Sequence, residues 1–203
     1  MGASQLSENL IGNGVVVAVV GPSGAGKDSV MNYARERMGK LASDVTFMRR
    51  VITRPDDGDT EDHDSVDEQS FAKMAANGEF AAYWRANGLS YGLRTSMDDV
   101  VRAGGVVVAN VSRTAIPALK DRYAHVLPVV VTAPAAILAE RLKARGRESH
   151  DEVLSRLERA EARELAVDDA VTIVNGGELA VAGEAFLATL RKASAWSDVS
   201  ETV

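Results

Sequence analysis

Six consecutive apolar residues, Val15-Val-Val-Ala-Val-Val20, run without interruption into Gly21-Pro-Ser-Gly-Ala-Gly-Lys27. An unalternating β-branched run of this length is the pattern of a strand buried on both faces, as in a parallel sheet covered by helices. The segment that follows matches G-x-x-x-x-G-K, and it lies between a predicted strand and a predicted helix, Lys27 to Met38, that Gly39 stops. Glycines let successive backbone N–H groups curl around an anion, and a helix N-terminus adds unpaired donors and the positive end of its dipole. Lys27 then adds a point charge for the β- and γ-phosphates. Gly21, Pro22, Ser23, Gly24, Ala25, Gly26 and Lys27 are therefore expected to hold ATP. A plain glycine-rich turn beside a surface lysine would leave the agreement of glycines, lysine and flanks unexplained.

The position after the lysine, usually Ser or Thr with a hydroxyl on Mg²⁺, is Asp28, and Ser29 follows. A carboxylate beside a triphosphate is costly unless a cation lies between them. Either Asp28 serves the metal, directly or through water, or Ser29 does. Hard Mg²⁺ favours the carboxylate, and a simple first-turn helix charge is the bland alternative.

Strand and helix signals alternate along the rest of the chain. Strands are expected at Thr46–Ile52, Val106–Val111, Val126–Thr132 and Val171–Val174, with helices between them and a closing helix from Glu178 to Ala193. That rhythm predicts an α/β P-loop NTPase fold: one domain over residues 1–203, with a five-stranded parallel sheet flanked by helices. Residues 53–93 break the rhythm. They hold an acidic loop, a helix capped by Asp67 and ended by Gly78, and a hairpin turning at Asn87-Gly88. This stretch reads as an insert for a second substrate. Thr95-Ser-Met-Asp98 resembles a capping box opening the next helix.

Aromatic residues make up 5% of the chain and its net charge is −6, which argues against a nucleic-acid surface. There is no cysteine, so disulfides and thiolate chemistry are excluded. The start lacks a secretory pattern, and no apolar run is long enough to span a bilayer, so a cytoplasmic protein without a membrane partner is expected. Monomer and homodimer stay open.

Beyond the phosphate loop with its Asp28, the chain carries Ile52-Thr-Arg54, Glu61-Asp-His63, Trp84-Arg-Ala-Asn-Gly-Leu-Ser-Tyr-Gly92, Asn110-Val-Ser-Arg113 and Arg141-Leu-Lys-Ala-Arg-Gly-Arg-Glu148. In this order the motifs resemble the guanylate kinase-like branch of the nucleoside monophosphate kinases. Within it they resemble the ribose 1,5-bisphosphate phosphokinases, which make phosphoribosyl diphosphate in phosphonate breakdown. The resemblance implies that Arg54 and Tyr91 grip the acceptor phosphate. It also implies a lid at about residues 141–158 whose Arg141, Arg145 and Arg156 close over ATP, with Asn175 near the adenine. Guanylate kinases read guanine with a glutamate in G-E-F-x-E; here Gly78-Glu-Phe-Ala-Ala82 ends in alanine. A site built to hydrogen-bond a purine depends strongly on that acceptor, so the change argues for a phosphorylated sugar without a base.

The expected reaction moves the γ-phosphoryl group of ATP, with Mg²⁺, onto the 1-phosphate of ribose 1,5-bisphosphate. The distal phosphate needs its own cation, for which Arg49, Arg50, Arg85, Arg94 and Arg113 are candidates. Arg113 is preferred because it follows a buried strand, and His63, read on an exposed loop, is a further substrate contact. Asn110 stands where guanylate kinases usually place an Asp, so Asp28 is expected to supply the missing charge. The alternatives are a nucleoside monophosphate kinase, a catalytically inactive interaction module and a regulatory ATPase.

Overall fold

The computed structural model describes residues 10–54, 63–144 and 167–199. Its centre is a five-stranded parallel sheet in the order β2-β7-β1-β8-β9. These strands are β1 (Val15–Val20), β2 (Val45–Phe47), β7 (Val106–Asn110), β8 (Val126–Thr132) and β9 (Val171–Val174). Strand β1 is buried along its whole length, and its alternate residues feed two separate cores. Val15, Val17 and Val19 pack with α1 (Lys27–Arg37), α5 (Ala135–Ala144) and α6 (Leu179–Val199), through Val30, Leu138 and Phe186. Val16, Ala18 and Val20 pack with Met97 and Val101 of α3 (Met97–Arg102) and with Leu119 of α4 (Ile116–Lys120). The period-two pleat thus explains why a continuous valine run is needed: both faces are interior.

From β1 the chain passes to the β2 edge and then back to β7, whereas the later strands β8 and β9 lie on the opposite side of β1. The connections therefore part at the carboxyl end of β1. Such a switch point opens a crevice between the loops, where ligands of open α/β sheets bind.

The insert is a second, four-stranded sheet in the order β4-β3-β6-β5, with β3 (Arg50–Ile52), β4 (His63–Ser65), β5 (Phe80–Ala86) and β6 (Leu89–Arg94). The expected hairpin is present: β5 and β6 are antiparallel, and Asn87 and Gly88 have φ of 50° and 76°, as a two-residue turn of this hand requires. Helix α2 (Glu68–Ala76) covers the sheet, and the Asp67 carboxylate accepts from the Ser70 backbone amide as expected of a cap. Phe71, Phe80 and Val51 form a small core of their own.

Four expectations are corrected. The single strand at Thr46–Ile52 is two: β2 ends at Phe47 in the parallel sheet, and β3 starts at Arg50 in the insert. The insert accordingly begins at Arg50 rather than residue 53. The capping box at Thr95–Asp98 does not form, because Ser96 is the N-cap and makes no side-chain cap bond. Asp98, 4% exposed, is taken by stronger donors: Arg122 through Nε at 3.0 Å and through Nη2, and the Tyr123 hydroxyl at 2.5 Å. Finally, the closing helix runs past Ala193 to Val199.

Candidate active site

The loop between β1 and α1 forms a concave nest at the switch point. Gly21 has φ of 145°, and a Cβ there would lie 1.9 Å from the Val131 carbonyl oxygen of the neighbouring strand. Gly26, at φ 80°, caps α1, and no side-chain hydrogen bond closes the helix end. The first-turn amides of α1 therefore face the nest without a side-chain cap, as an anion site needs. Two side chains distant in sequence pin the loop from behind. Asn175, 4% exposed, donates from Nδ2 to the Ala25 carbonyl at 2.8 Å, and Arg141 donates from Nη1 to the Gly24 carbonyl at 3.2 Å. Because C=O and N–H point in opposite directions across a trans peptide, holding the Ala25 carbonyl back turns the Gly26 N–H forward. Lys27 lies folded over the nest, with Nζ 2.8 Å from the Gly21 carbonyl and 3.2 Å from that of Pro22. A triphosphate is a stronger, charged acceptor for this ammonium group than either carbonyl.

Asp28 and Asn110 meet across the crevice: Asn110 Nδ2 donates to Asp28 Oδ1 at 3.0 Å. Asn110 ends β7 and is buried, so the amide is a fixed donor that orients the carboxylate. The two residues that depart from the usual pattern, an Asp after the lysine and an Asn at the strand end, are therefore one unit. Had both been acids they would repel at this distance. Mg²⁺ is commonly held by one or two carboxylates together with substrate phosphates. A single oriented carboxylate beside a phosphate nest fits that donor set, whereas Ser29 lines a different cavity from Asp28.

Two cavities flank the nest. One, of about 340 Å³, is lined by Gly24, Gly26, Ser29, Arg141, Asn175 and Gly177 among others, so Asn175 both holds the loop and faces this space. The other lies on the Asp28 side, and Asp28, Arg35, Phe47, Arg49, Arg50 and Asn110 are among its walls. Arg35 was not among the residues singled out from sequence. It sits about two helical turns beyond Asp28 in α1, and only the arrival of β2 and β3 beside α1 makes it part of a wall.

The structure sorts the remaining insert residues. Tyr91 stacks on Trp84, with ring centroids 5.6 Å apart and planes within 5°, and the Arg50 guanidinium lies 5.1 Å from the Tyr91 ring centroid. His63 is not on an exposed loop: it opens β4, is 6% exposed, and its Nδ1 lies 3.4 Å from Arg54 Nη2. For Arg54 to donate there, Nδ1 must carry no proton. Arg85 is turned outward, 3.5 Å from Glu68, a carboxylate that also accepts from Thr53 and Ser90. Arg94 pairs with Asp64 at 3.2 Å. Arg113 opens a short 3₁₀ turn after β7 and is half-buried. Arg145 and Arg156, and all of the expected lid beyond Ala144, lie outside the described residues, as does the acidic loop at residues 55–62.

The geometry so far describes a nucleotide site facing a cationic pocket, and the relatives decide which family it serves. A ribose 1,5-bisphosphate phosphokinase PhnN of Chelativorans sp. (strain BNC1) is 60% identical over 193 residues, covering 95% of this chain and 92% of its own. The chain belongs to the ribose 1,5-bisphosphate phosphokinase family. A second member, from Brucella melitensis biotype 2, is 47% identical over 180 residues, covering 86% of this chain and 90% of its own. A family model described as an AAA domain matches residues 17–165. Among solved structures, the guanylate kinase from Anaplasma phagocytophilum superposes with a TM-score of 0.64 at 22% identity, covering 88% of this chain and 85% of its own. That likeness concerns the fold. Ala82, at the position where the resemblance implies a purine-reading glutamate, is buried in β5 with Trp84 and Leu93, in the core beneath the insert. No helix among the described residues is long and apolar enough to cross a membrane.

Proposed function

We propose that this protein is an ATP-dependent phosphotransferase that converts ribose 1,5-bisphosphate to 5-phospho-α-D-ribose 1-diphosphate. The observation that carries the reading is 60% identity over nearly the full length of a ribose 1,5-bisphosphate phosphokinase, joined to an intact phosphate nest. An oxygen of the acceptor 1-phosphate attacks the γ-phosphorus of ATP; the bond from that phosphorus to the β,γ-bridging oxygen breaks, and ADP leaves with the electron pair. A phosphate monoester has a second pKa near ~6, so the nucleophile is already mostly dianionic at neutral pH and needs no general base. Catalysis then rests on positioning and charge neutralisation.

The backbone of residues 21–26 would seat the β- and γ-phosphates, and Lys27 would follow the transferred group. Asp28, oriented by Asn110, would hold Mg²⁺. When bound, the metal neutralises charge on the phosphates. Arg141, already on the loop at Gly24, would be joined by Arg145 and Arg156 as a lid over ATP. Arg54 and Tyr91 would grip the attacked phosphate. The substrate is a small phosphorylated sugar, and a soluble cytoplasmic setting accords with this chemistry.

Mass spectrometry of the products from ATP and ribose 1,5-bisphosphate tests the reading. The expected result is one new sugar species heavier by one phosphoryl group, formed mole for mole with ADP. Faster ADP release with GMP than with the sugar bisphosphate would overturn it.

A further inference from the structure

We infer that the cavity walled by Arg35, Arg49 and Arg50 is the subsite for the distal 5-phosphate of the acceptor. The inference rests on the proposed function and adds to it the residues that select a bisphosphate. Of the arginines that sequence offers for this task, Arg85, Arg94 and Arg113 do not line the cavity. Arg49 and Arg50 do line it, and α1 contributes Arg35 from the facing side. Two of these three guanidinium groups lie against rings, Arg35 at 5.6 Å from the Phe47 centroid and Arg50 at 5.1 Å from that of Tyr91. A ring orients the plane of a guanidinium lying over it. Arg49 lies 3.2 Å from Asp64, an acid it shares with Arg94.

The cavity also carries charge of both signs: Asp28 and Asn110 share its walls with Arg35, Arg49 and Arg50. A dianionic phosphate is repelled by Asp28 unless a cation intervenes, and it is attracted by the arginines. A sugar carrying phosphates at both ends is thereby oriented: the reacting phosphate faces ATP and its metal, and the distal one enters among the arginines. Fork-shaped donors from several directions suit the oxygens of a terminal phosphate.

Three measurements test this on the full-length protein: turnover of ribose 1,5-bisphosphate, the Kd for ribose 5-phosphate (which carries the distal phosphate alone), and the Kd for ATP. Arg35→Met and Arg50→Met are each expected to raise the KM for the bisphosphate and the Kd for ribose 5-phosphate by about 10- to 100-fold, the usual cost of a lost charged hydrogen bond. ATP affinity should stay unchanged in both. Arg37→Met, two residues along α1 and lying over Tyr33 instead, should behave as wild type. If Arg50→Met fails to fold, Arg35→Met, which alters an exposed side chain, carries the test. Wild-type turnover of the bisphosphate, with both variants unaffected in KM and in ribose 5-phosphate binding, overturns the subsite and leaves the kinase reading standing. Absence of wild-type turnover overturns the kinase reading and this inference together.

Discussion

The two halves of the site are made of different material. On the ATP side, the binding surface is main chain: a contiguous loop of glycines, one lysine and the open end of α1, held from behind by Asn175 and Arg141. On the proposed acceptor side, the surface is side chain: arginines from α1, β3 and the β2–β3 connection, set by rings and by shared carboxylates. A ligand common to a whole fold class can be met by backbone geometry. One that distinguishes a single family is met by residues that only the tertiary structure assembles. The two halves should therefore fail differently when altered.

The sharpest break is on the main-chain side. Lys27→Met is expected to lower turnover by roughly 10³-fold, the scale of losing one preorganised charge stabiliser, while the thermal midpoint stays near that of wild type; a coupled ADP-release assay and a melting curve check both. Next in size is Gly26→Ala. Its Cβ would lie 2.5 Å from Asn175 Nδ2, at a φ that alanine rarely adopts. Strain of about 1–3 kcal/mol at such a position corresponds to a roughly 10- to 100-fold loss of ATP affinity, readable by calorimetry. Adding Asn175→Ala should recover only part of it, because the φ penalty remains.

At the boundary between the halves the effect is smaller and metal-dependent. Asp28→Ser is expected to reduce the tightening of ADP binding by Mg²⁺ by about 10-fold, and Asn110→Asp in the same chain should restore most of it by moving the carboxylate to the strand end. A double variant no better than Asp28→Ser would mean that the two residues are not one unit. The smallest effect on turnover should come from Asp98, which belongs to neither half. Burial alone would raise its pKa, but hydrogen bonds from Arg122 and Tyr123 and the charges of Arg122 and Arg102 outweigh that and hold it below its ordinary value. Burial and the Asp98 carboxylate in turn push the Tyr123 hydroxyl well above its usual range, so it stays a donor. The stability Asp98 contributes is fully present above the unfolded carboxylate pKa of about 3.9 and is lost as pH falls from there through the lower folded value. Melting curves at pH 7 and pH 3 should show Asp98→Asn less stable at neutral pH and less sensitive to acid than wild type, with neutral-pH KM values unchanged.

How far the sequence could be read follows the same division. The valine run, the phosphate loop, the Asn87-Gly88 hairpin and the Asp67 cap are set by neighbours in the chain, so local rules found them. Thr95–Asp98 carried a local signal that lost to a distant one, because two side chains some 25 residues later offer Asp98 better partners than a backbone amide. Thr46–Ile52 reads as one strand because β-branched and aromatic residues stand at both of its ends; only pairing shows that Phe47 and Arg50 belong to different sheets. Arg35 carried no signal at all, since an arginine on an exposed helix face is ordinary until another element comes to stand opposite it. The Asp28–Asn110 bond was half visible: both residues were noticed as departures, but their contact spans 82 positions.

The join between β2 and β3 has a mechanical consequence. One short extended ribbon is shared by two sheets, and the residues at its crossing, Met48 and Arg49, are themselves walls of the cationic cavity. A tilt of the smaller sheet against the larger bends this ribbon, changing the spacing between Arg35, carried by the larger layer, and Arg50, carried by the smaller. Filling the cavity and setting the angle between the layers are thus thermodynamically linked, and whatever stabilises one favours the other to the same extent.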